Sequence, residues 1–287
     1  VSRNPPKASS KIVIKSTGSW YSVLNKQGKV IECRMKGKIR LDGIKSTNPV
    51  SVGDEVQIEN DSIVKILPRK NYIIRRATNL SKQSHVIAAN VDRAYLIVTL
   101  ALPKTSTGFI DRFLCTAEAY QIPVTILFNK KDIYTNDGIE EVNELKKAYE
   151  KIGYECFSIS SLDSKDVRFL HGKMKGKVNL IAGHSGVGKS TFINALDSKL
   201  RVKVGELSEA HDKGTHTTTF AEMFQLSNGG FIIDTPGIKE FGIINVSKNE
   251  LSHFFPEIFR KSNDCKFDSC LHINEPKCAV IDAVEKG

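Results

Sequence analysis

No apolar run in this 287-residue chain approaches the roughly 20 residues needed to span a bilayer, so a membrane protein is not expected. The opening stretch VSRNPPKASS is polar and lacks the apolar core of a secretory signal. It begins on Val1 in place of an initiator methionine, which points to a processed, engineered or incomplete start. Internal repeats and long low-complexity tracts are also missing, which excludes solenoids and largely disordered chains. The expected location is the cytoplasm and the expected state a monomer.

Acidic residues are scarce in the first quarter. Residues 1–72 hold 14 Lys/Arg against 6 Asp/Glu, a net +8 of the chain's +10. Residues 73–287 hold 28 against 26 and are close to neutral. A basic module joined to a nearly neutral one points to a polyanion partner, most simply nucleic acid. Ordinary solubilising charge is the alternative.

Cysteine is scarce until the end. Cys33, Cys115 and Cys156 stand alone, whereas Cys265, Cys270 and Cys278 crowd into the last 23 residues. In a cytosolic chain such clustering suggests a metal rather than disulfides. The run Cys265-x4-Cys270-x-His272-x5-Cys278 offers three thiolates and one imidazole, a set suited to one closed, tetrahedral, structural Zn²⁺. Reduced cysteines around a small core, with His272 on the surface, are the plainer alternative. His253 falls outside the spacing and reads as helix surface.

What is present divides the chain into three. Residues 1–72 form the first unit, with KIVIK, WYSVLN, KVIECRMK, DEVQIEN and SIVKIL as short β-strands separated by turns. Five strands in so few residues suit a small Greek-key barrel of the OB type, with an SH3-like barrel as competitor. Trp20 and Tyr21 lie in one such strand; alternation sends one to the core and leaves the other able to stack on a base. Arg34, Lys36, Lys38 and Arg40 alternate and would line one face as a phosphate track, or simply a solvated edge. Residues 79–85, NLSKQSH, are read as an RNA contact or a connector.

Residues 73–245 alternate apolar strands with helical patterns, which defines a doubly wound α/β domain with a mostly parallel sheet. DRAYLIVTL, IPVTILFN, YECFSIS, KVNLIAG, AEMFQLS and GGFIIDTPG are its strands. GFIDRFLCTAEAY, GIEEVNELKKAYEKIG and KSTFINAL are its helices. Residues 246–287 are helical, then Cys-rich.

The α/β unit carries the chemistry. Gly183, His184, Ser185, Gly186, Val187, Gly188, Lys189 and Ser190, followed by Thr191, match G-x-x-x-x-G-K-[ST] between a strand and a helix. Glycines let backbone N–H groups wrap phosphates, and the helix N-terminus adds partial positive charge. Lys189 neutralises β/γ-phosphate charge, and the Ser190 hydroxyl ligates Mg²⁺. DTPG, residues 234–237, ends an apolar strand. There Asp234 can hold Mg²⁺, directly or through water, and the Gly237 amide can meet a γ-phosphate. Asn129, Lys130, Lys131 and Asp132 spell NKKD, the guanine-specificity pattern NKxD. The Asp132 carboxylate can accept two N–H bonds that adenine cannot offer. Asn129 can tie this loop to the phosphate loop, and Lys130 can cover the base. In SISS, Ser160 and Ser161 are the remaining candidates to contact guanine. Between the phosphate loop and DTPG, HDKGTHTTTF reads as a switch, with Thr217 or Thr218 reaching Mg²⁺ and γ-phosphate, or else as a plain strand entry. Ile238 follows DTPG where many GTPases place a water-orienting Gln. Slow intrinsic hydrolysis is therefore expected until a partner supplies help worth about 10³–10⁵ in rate.

The motif order is unusual. NKKD and SISS precede the phosphate loop, whereas most GTPases place them after it. Each still ends a strand, where such sheets bind ligands. Joining old termini and cutting elsewhere preserves a site, so the order indicates a circularly permuted GTPase.

Together the basic barrel, NKKD, SISS, GHSGVGKST, GTHTTT, DTPG followed by KEFG, and the spacing of Cys265, Cys270, His272 and Cys278 resemble the ribosome small subunit-dependent GTPase A family, also called RsgA or YjeQ. The resemblance covers nearly the whole chain. It implies an OB-fold, a permuted GTPase domain and a zinc domain. It also implies an assembly factor that binds the small ribosomal subunit and its rRNA late in maturation and leaves with hydrolysis of GTP to GDP. Without the resemblance, the motifs fit equally well an RNA-binding, GTP-regulated module acting on transfer RNA or the large subunit, with incidental hydrolysis. There is one departure. Some relatives carry a His soon after EFG, suggested as catalytic; here EFGIINV has none, and Asn245 falls near that place. His216 and His184 are the available substitutes.

Overall fold

The computed structural model describes residues 11–36, 49–76, 84–200, 221–234 and 246–287. The five expected barrel strands are β1 (Lys11–Ser16), β2 (Tyr21–Leu24), β3 (Val30–Met35), β4 (Glu55–Glu59) and β5 (Ser62–Ile66). β1 pairs antiparallel with β2 and β4, β2 with β3, and β4 with β5; β3 runs parallel to β5. The circuit β1-β2-β3-β5-β4 closes on itself, which is the OB-type barrel. Alternating residues Val13, Tyr21, Val23, Cys33, Val56 and Ile63 fill it. Tyr21 takes the core place, and Trp20 stays 44% exposed with the Arg34 guanidinium 4.0 Å from its ring centroid. Arg34 and Lys36 are both exposed; Lys38 and Arg40 lie outside the described residues.

A buried ion pair closes the barrel's lower strands onto the outgoing chain. Arg69 grips Asp54 with both Nε and Nη2 at 2.6 Å, and Nη2 also donates to the Pro49 carbonyl at 2.7 Å. The Ser51 amide gives Asp54 a further bond at 2.8 Å. Then comes a hairpin with no counterpart in the sequence-based expectation, β6 (Tyr72–Arg76) and β7 (Ser84–Ala89). Its Ile73 and Ala88 join the core of the next unit; residues 79–83 of the expected 79–85 connector lie outside the described residues.

The α/β unit runs β8 (Arg93–Val98), α1 (Thr107–Ala119), β9 (Val124–Phe128), α2 (Asn136–Ile152), β10 (Glu155–Ser158), α3 (Ser164–Met174), β11 (Val178–Ala182), α4 (Lys189–Leu196), β12 (Glu222–Gln225) and β13 (Phe231–Asp234). The sheet order is β10-β9-β8-β11-β13-β12, parallel except for β12. Strand alternation builds two cores. Ala94, Leu96 and Val98 pack with α1 and α2; Tyr95 and Ile97 pack with α3 and α4. The fold is doubly wound, as expected. Helix α3 is additional to the expected elements. Its signals are Asp163, whose carboxylate caps the Lys165 amide, and Val167, Leu170 and Met174 on one buried face.

β12 also pairs with β1 at Lys15 and Glu222, so barrel and α/β sheet form one continuous sheet. After residue 245 follow a 3-10 turn (Leu251–Phe254), α5 (Pro256–Ser262) and α6 (Ala279–Lys286). The 3-10 turn packs on α1, and Arg260 donates to the Ile152 carbonyl at the end of α2, at 2.8 Å. Among the described residues, no helix is long and apolar enough to cross a membrane.

Candidate functional site

β8 and β11 are neighbours whose outgoing helices cover opposite faces. The crevice beyond their C-terminal ends is where such sheets bind ligands. The loop after β11 has the backbone that its glycines were expected to provide. Gly183 has φ 144, and a Cβ there would overlap the Ile97 carbonyl oxygen. Gly188 has φ 95, and a Cβ would lie 2.5 Å from Asn129 Nδ2. Val187 is buried beneath the loop, while Ser185, Gly186, Ser190 and Thr191 are exposed at its surface. Lys189 Nζ donates to the His184 carbonyl at 2.7 Å, spanning the loop. The N-terminus of α4 and the loop amides together can take a phosphate chain.

Asn129 is 1% exposed and joins three motifs. Its Nδ2 donates to the Val187 carbonyl at 2.9 Å. Its Oδ1 accepts both the amide and the hydroxyl of Ser161, each at 2.9 Å. The Ser160 amide goes to Asp166 at 2.8 Å, and its hydroxyl accepts from the Leu162 amide at 3.2 Å. Both serines are buried and hold the loop, and Leu162, 76% exposed, forms its tip.

Lys130 adopts φ 65 and reaches over to the Leu102 and Gly186 carbonyls, the latter at 2.8 Å. Lys131 pairs with Asp166 at 2.6 Å. Asp132 is exposed. The Tyr134 hydroxyl donates to the Asn129 carbonyl at 2.5 Å and accepts from the Leu100 amide at 3.1 Å, binding the NKKD loop to the end of β8.

His184 is held by the loop after β8. Thr105 Oγ1 accepts the Thr99 amide at 3.1 Å and stands 2.6 Å from His184 Nε2. The Ser185 carbonyl can only accept, so Nδ1–H donates to it at 3.0 Å, and Nε2 is assigned as acceptor of the Thr105 hydroxyl proton. Phe109 packs edge-on against the ring. Both ring nitrogens are engaged, and His184 shapes the loop.

Asp234 ends β13 opposite Ile181, one strand from the phosphate loop. Thr217, Thr218, Gly237, His216, Ile238 and Asn245 lie outside the described residues. Thr105, Tyr134, Asp166 and Leu162 carry no motif signal; only tertiary contact reveals them.

The second site is the Cys₃His cluster. The ligand atoms of Cys265, Cys270, His272 and Cys278 all lie within 4.8 Å of one another. Cys265 Sγ is 3.7 Å from His272 Nδ1 and 3.9 Å from Cys278 Sγ, and His272 Nδ1 is 3.3 Å from Cys278 Sγ. Tetrahedral Zn–S bonds of about 2.3 Å would separate ligand atoms by about 3.8 Å, so the donor set fits. Burial pushes the Cys278 thiol up, but the Ile281 amide, His272 and Cys270 outweigh it and bring it down to about 7. Glu275 organises the loop by accepting the Leu271, Ile273 and Asn274 amides, which hold its carboxyl down at about 2. Its role is invisible in the ligand spacing.

Strand order and loops together define a GTPase whose chain is circularly permuted. Two family models match the chain, RsgA N-terminal domain over residues 12–64 and RsgA GTPase over residues 66–244. The chain belongs to the RsgA GTPase family. It is 54% identical over 280 residues to the small ribosomal subunit biogenesis GTPase RsgA of Bacteroides fragilis, covering 96% of this chain and 90% of that one. The protein of the same name from Christiangramia forsetii is 53% identical over 283 residues, with the same coverage. Among solved structures, YjeQ from Thermotoga maritima superposes with a TM-score of 0.77 at 33% identity, over 97% of this chain and 92% of that one. YloQ, described as a circularly permuted GTPase, gives 0.73 at 31% identity, over 100% of this chain and 92% of that one.

Proposed function

We propose that this chain hydrolyses GTP to GDP and phosphate while bound to the small ribosomal subunit, assists the subunit's late maturation and leaves it on hydrolysis. The observation that carries the nucleotide reading is Asn129, which binds the phosphate loop and both guanine-pattern loops into one crevice. Relatives more than half identical are named for small ribosomal subunit biogenesis, which supports the partner.

In this reading residues 183–191 cradle the phosphates, with Lys189 neutralising charge that grows in the transition state. Ser190 and Asp234 would hold Mg²⁺, which would supply positive charge against the phosphates. Asp132 reads the guanine edge and Lys130 covers the base. Thr217 or Thr218 and Gly237 sense the γ-phosphate. The basic barrel of residues 1–72, with Trp20 exposed beneath Arg34, meets rRNA. Residues 73–245 form the GTPase unit. Residues 246–287, tied by one structural Zn²⁺ at Cys265, Cys270, His272 and Cys278, brace α1 and α2.

GTP turnover measured with and without small subunits tests this. A sharp rise on adding subunits, abolished by Lys189→Ala, is expected; a flat response would sink the proposal. Co-sedimentation with each ribosomal subunit in a non-hydrolysable GTP analogue separates it from action on the large subunit or another RNA.

A further inference from the structure

The NKKD loop and the Ser loop are joined a second time, by charge. Lys131 Nζ lies 2.6 Å from Asp166 Oδ2 and 3.9 Å from Asp163 Oδ2. The same Asp166 oxygen accepts the Ser160 amide at 2.8 Å. The main chain follows the same path, with the Lys131 amide donating to the Ile159 carbonyl at 3.1 Å. Lys131 immediately precedes Asp132. Ser160 lies two residues before Leu162, the exposed tip of the facing loop. Asp166 itself sits in the first turn of α3, where the helix N-terminus favours its charge.

Asp132 has no comparable support. It is exposed, and none of the hydrogen bonds among the described residues reaches its carboxylate. It belongs to a single 3-10 turn, Lys131–Ile133, entered through the left-handed Lys130. Such a turn has few hydrogen bonds of its own. Reading two N–H groups on a base edge requires the carboxylate to be held within about 0.5 Å. Lys131 and Asp163 are each more than a third exposed, and such an ion pair adds little to global stability. Its effect is local: it ties the turn that carries Asp132 to a fixed helix.

We propose that Lys131 and Asp166 are positioning residues for guanine selection. They set the spacing between Asp132 and the Ser loop, so that the nucleobase 2-amino group is read. The proposal rests on Asp132 being the guanine contact. Nothing in the NKKD pattern assigns this task to its second lysine, and Asp166 lies outside every motif.

The test is calorimetric titration of the full chain with GDP and with IDP, which lacks the 2-amino group. The wild type should bind GDP about tenfold or more tighter than IDP. Lys131→Met should lower that ratio about threefold or more, mainly by weakening GDP. Asp166→Asn keeps an acceptor for the Ser160 amide and should act in the same direction. Lys131→Arg should retain the wild-type ratio. An unchanged ratio in both Lys131→Met and Asp166→Asn overturns the proposal, even if both affinities fall, because that is the signature of a purely structural pair. A wild type that binds GDP and IDP equally overturns the reading of Asp132 as well.

Discussion

Asn129 and Val187 stand 58 residues apart in sequence, yet the side-chain amide of one donates to the main-chain carbonyl of the other at 2.9 Å. This bond joins the guanine-pattern half of the site to the phosphate half across the permuted chain. Asn129→Ala would leave buried groups of Ser161 and Val187 without partners. Each such loss costs about 1–3 kcal/mol. GDP affinity should fall about 10- to 100-fold in a calorimetric titration. Affinity within threefold of wild type would show that the loops keep their spacing without it.

Arg69 and Asp54 form the most buried charge pair found among the described residues, with side chains 7% and 0% exposed. Arg69→Met strands the Asp54 carboxylate in the barrel wall. The expected loss is about 3–5 kcal/mol by urea unfolding, with partial recovery in the double variant Arg69→Met, Asp54→Asn. A loss below about 1 kcal/mol would show that Asp54 reaches water or a proton instead.

Glu155 gathers Lys173, Thr125 and Arg93 at the edge of the sheet. Burial pushes its carboxyl up, but Lys173, Thr125 and Arg93 outweigh that and hold it below its ordinary 4.5. A depressed acid stabilises the fold above its unfolded pKa and loses that contribution as pH falls through the folded one. Glu155→Gln should therefore cost about 0.5–1 kcal/mol at pH 7, discounted for a side chain 35% exposed, and less at pH 3. Equal costs at both pH values would rule out the charge as the cause.

Metal analysis of the purified chain should find one zinc per molecule, lost in Cys270→Ser. Zinc in such a site is worth on the order of 10 kcal/mol to the segment it orders. Chelation should therefore open residues 246–287 to protease while GDP binding persists. Simultaneous loss of nucleotide binding would mean that the cluster supports the GTPase core as well.

Much of this architecture is legible from local pattern. Periodicity marks the five barrel strands and the alternating strands and helices of the α/β unit, because those elements bury one face or stripe. The phosphate loop, NKKD and the cysteine spacing are legible because their chemistry needs fixed residue types at fixed intervals. The β6–β7 hairpin and α3 are harder to read. The hairpin hides in a segment with turn-rich composition. Helix α3 offers only three buried apolar positions and a capping Asp163.

Site support escapes the sequence for a different reason. Thr105, Tyr134 and Asp166 act on loops 79, 5 and 6 residues away through single hydrogen bonds that no spacing encodes. Ser160 and Ser161 are ligand candidates by motif, and only the fold shows that they also bond to Asp166 and Asn129.

The sequence by itself determined the permuted motif order, the basic first module and the four-donor cluster, since each is a property of residue type and interval. Tertiary structure decided which of those residues face the crevice. Burial forces every polar group in it to find a partner, and the partners come from strand ends distant in the chain. That requirement made Asn129 the junction of the site and left Asp132 exposed at its rim.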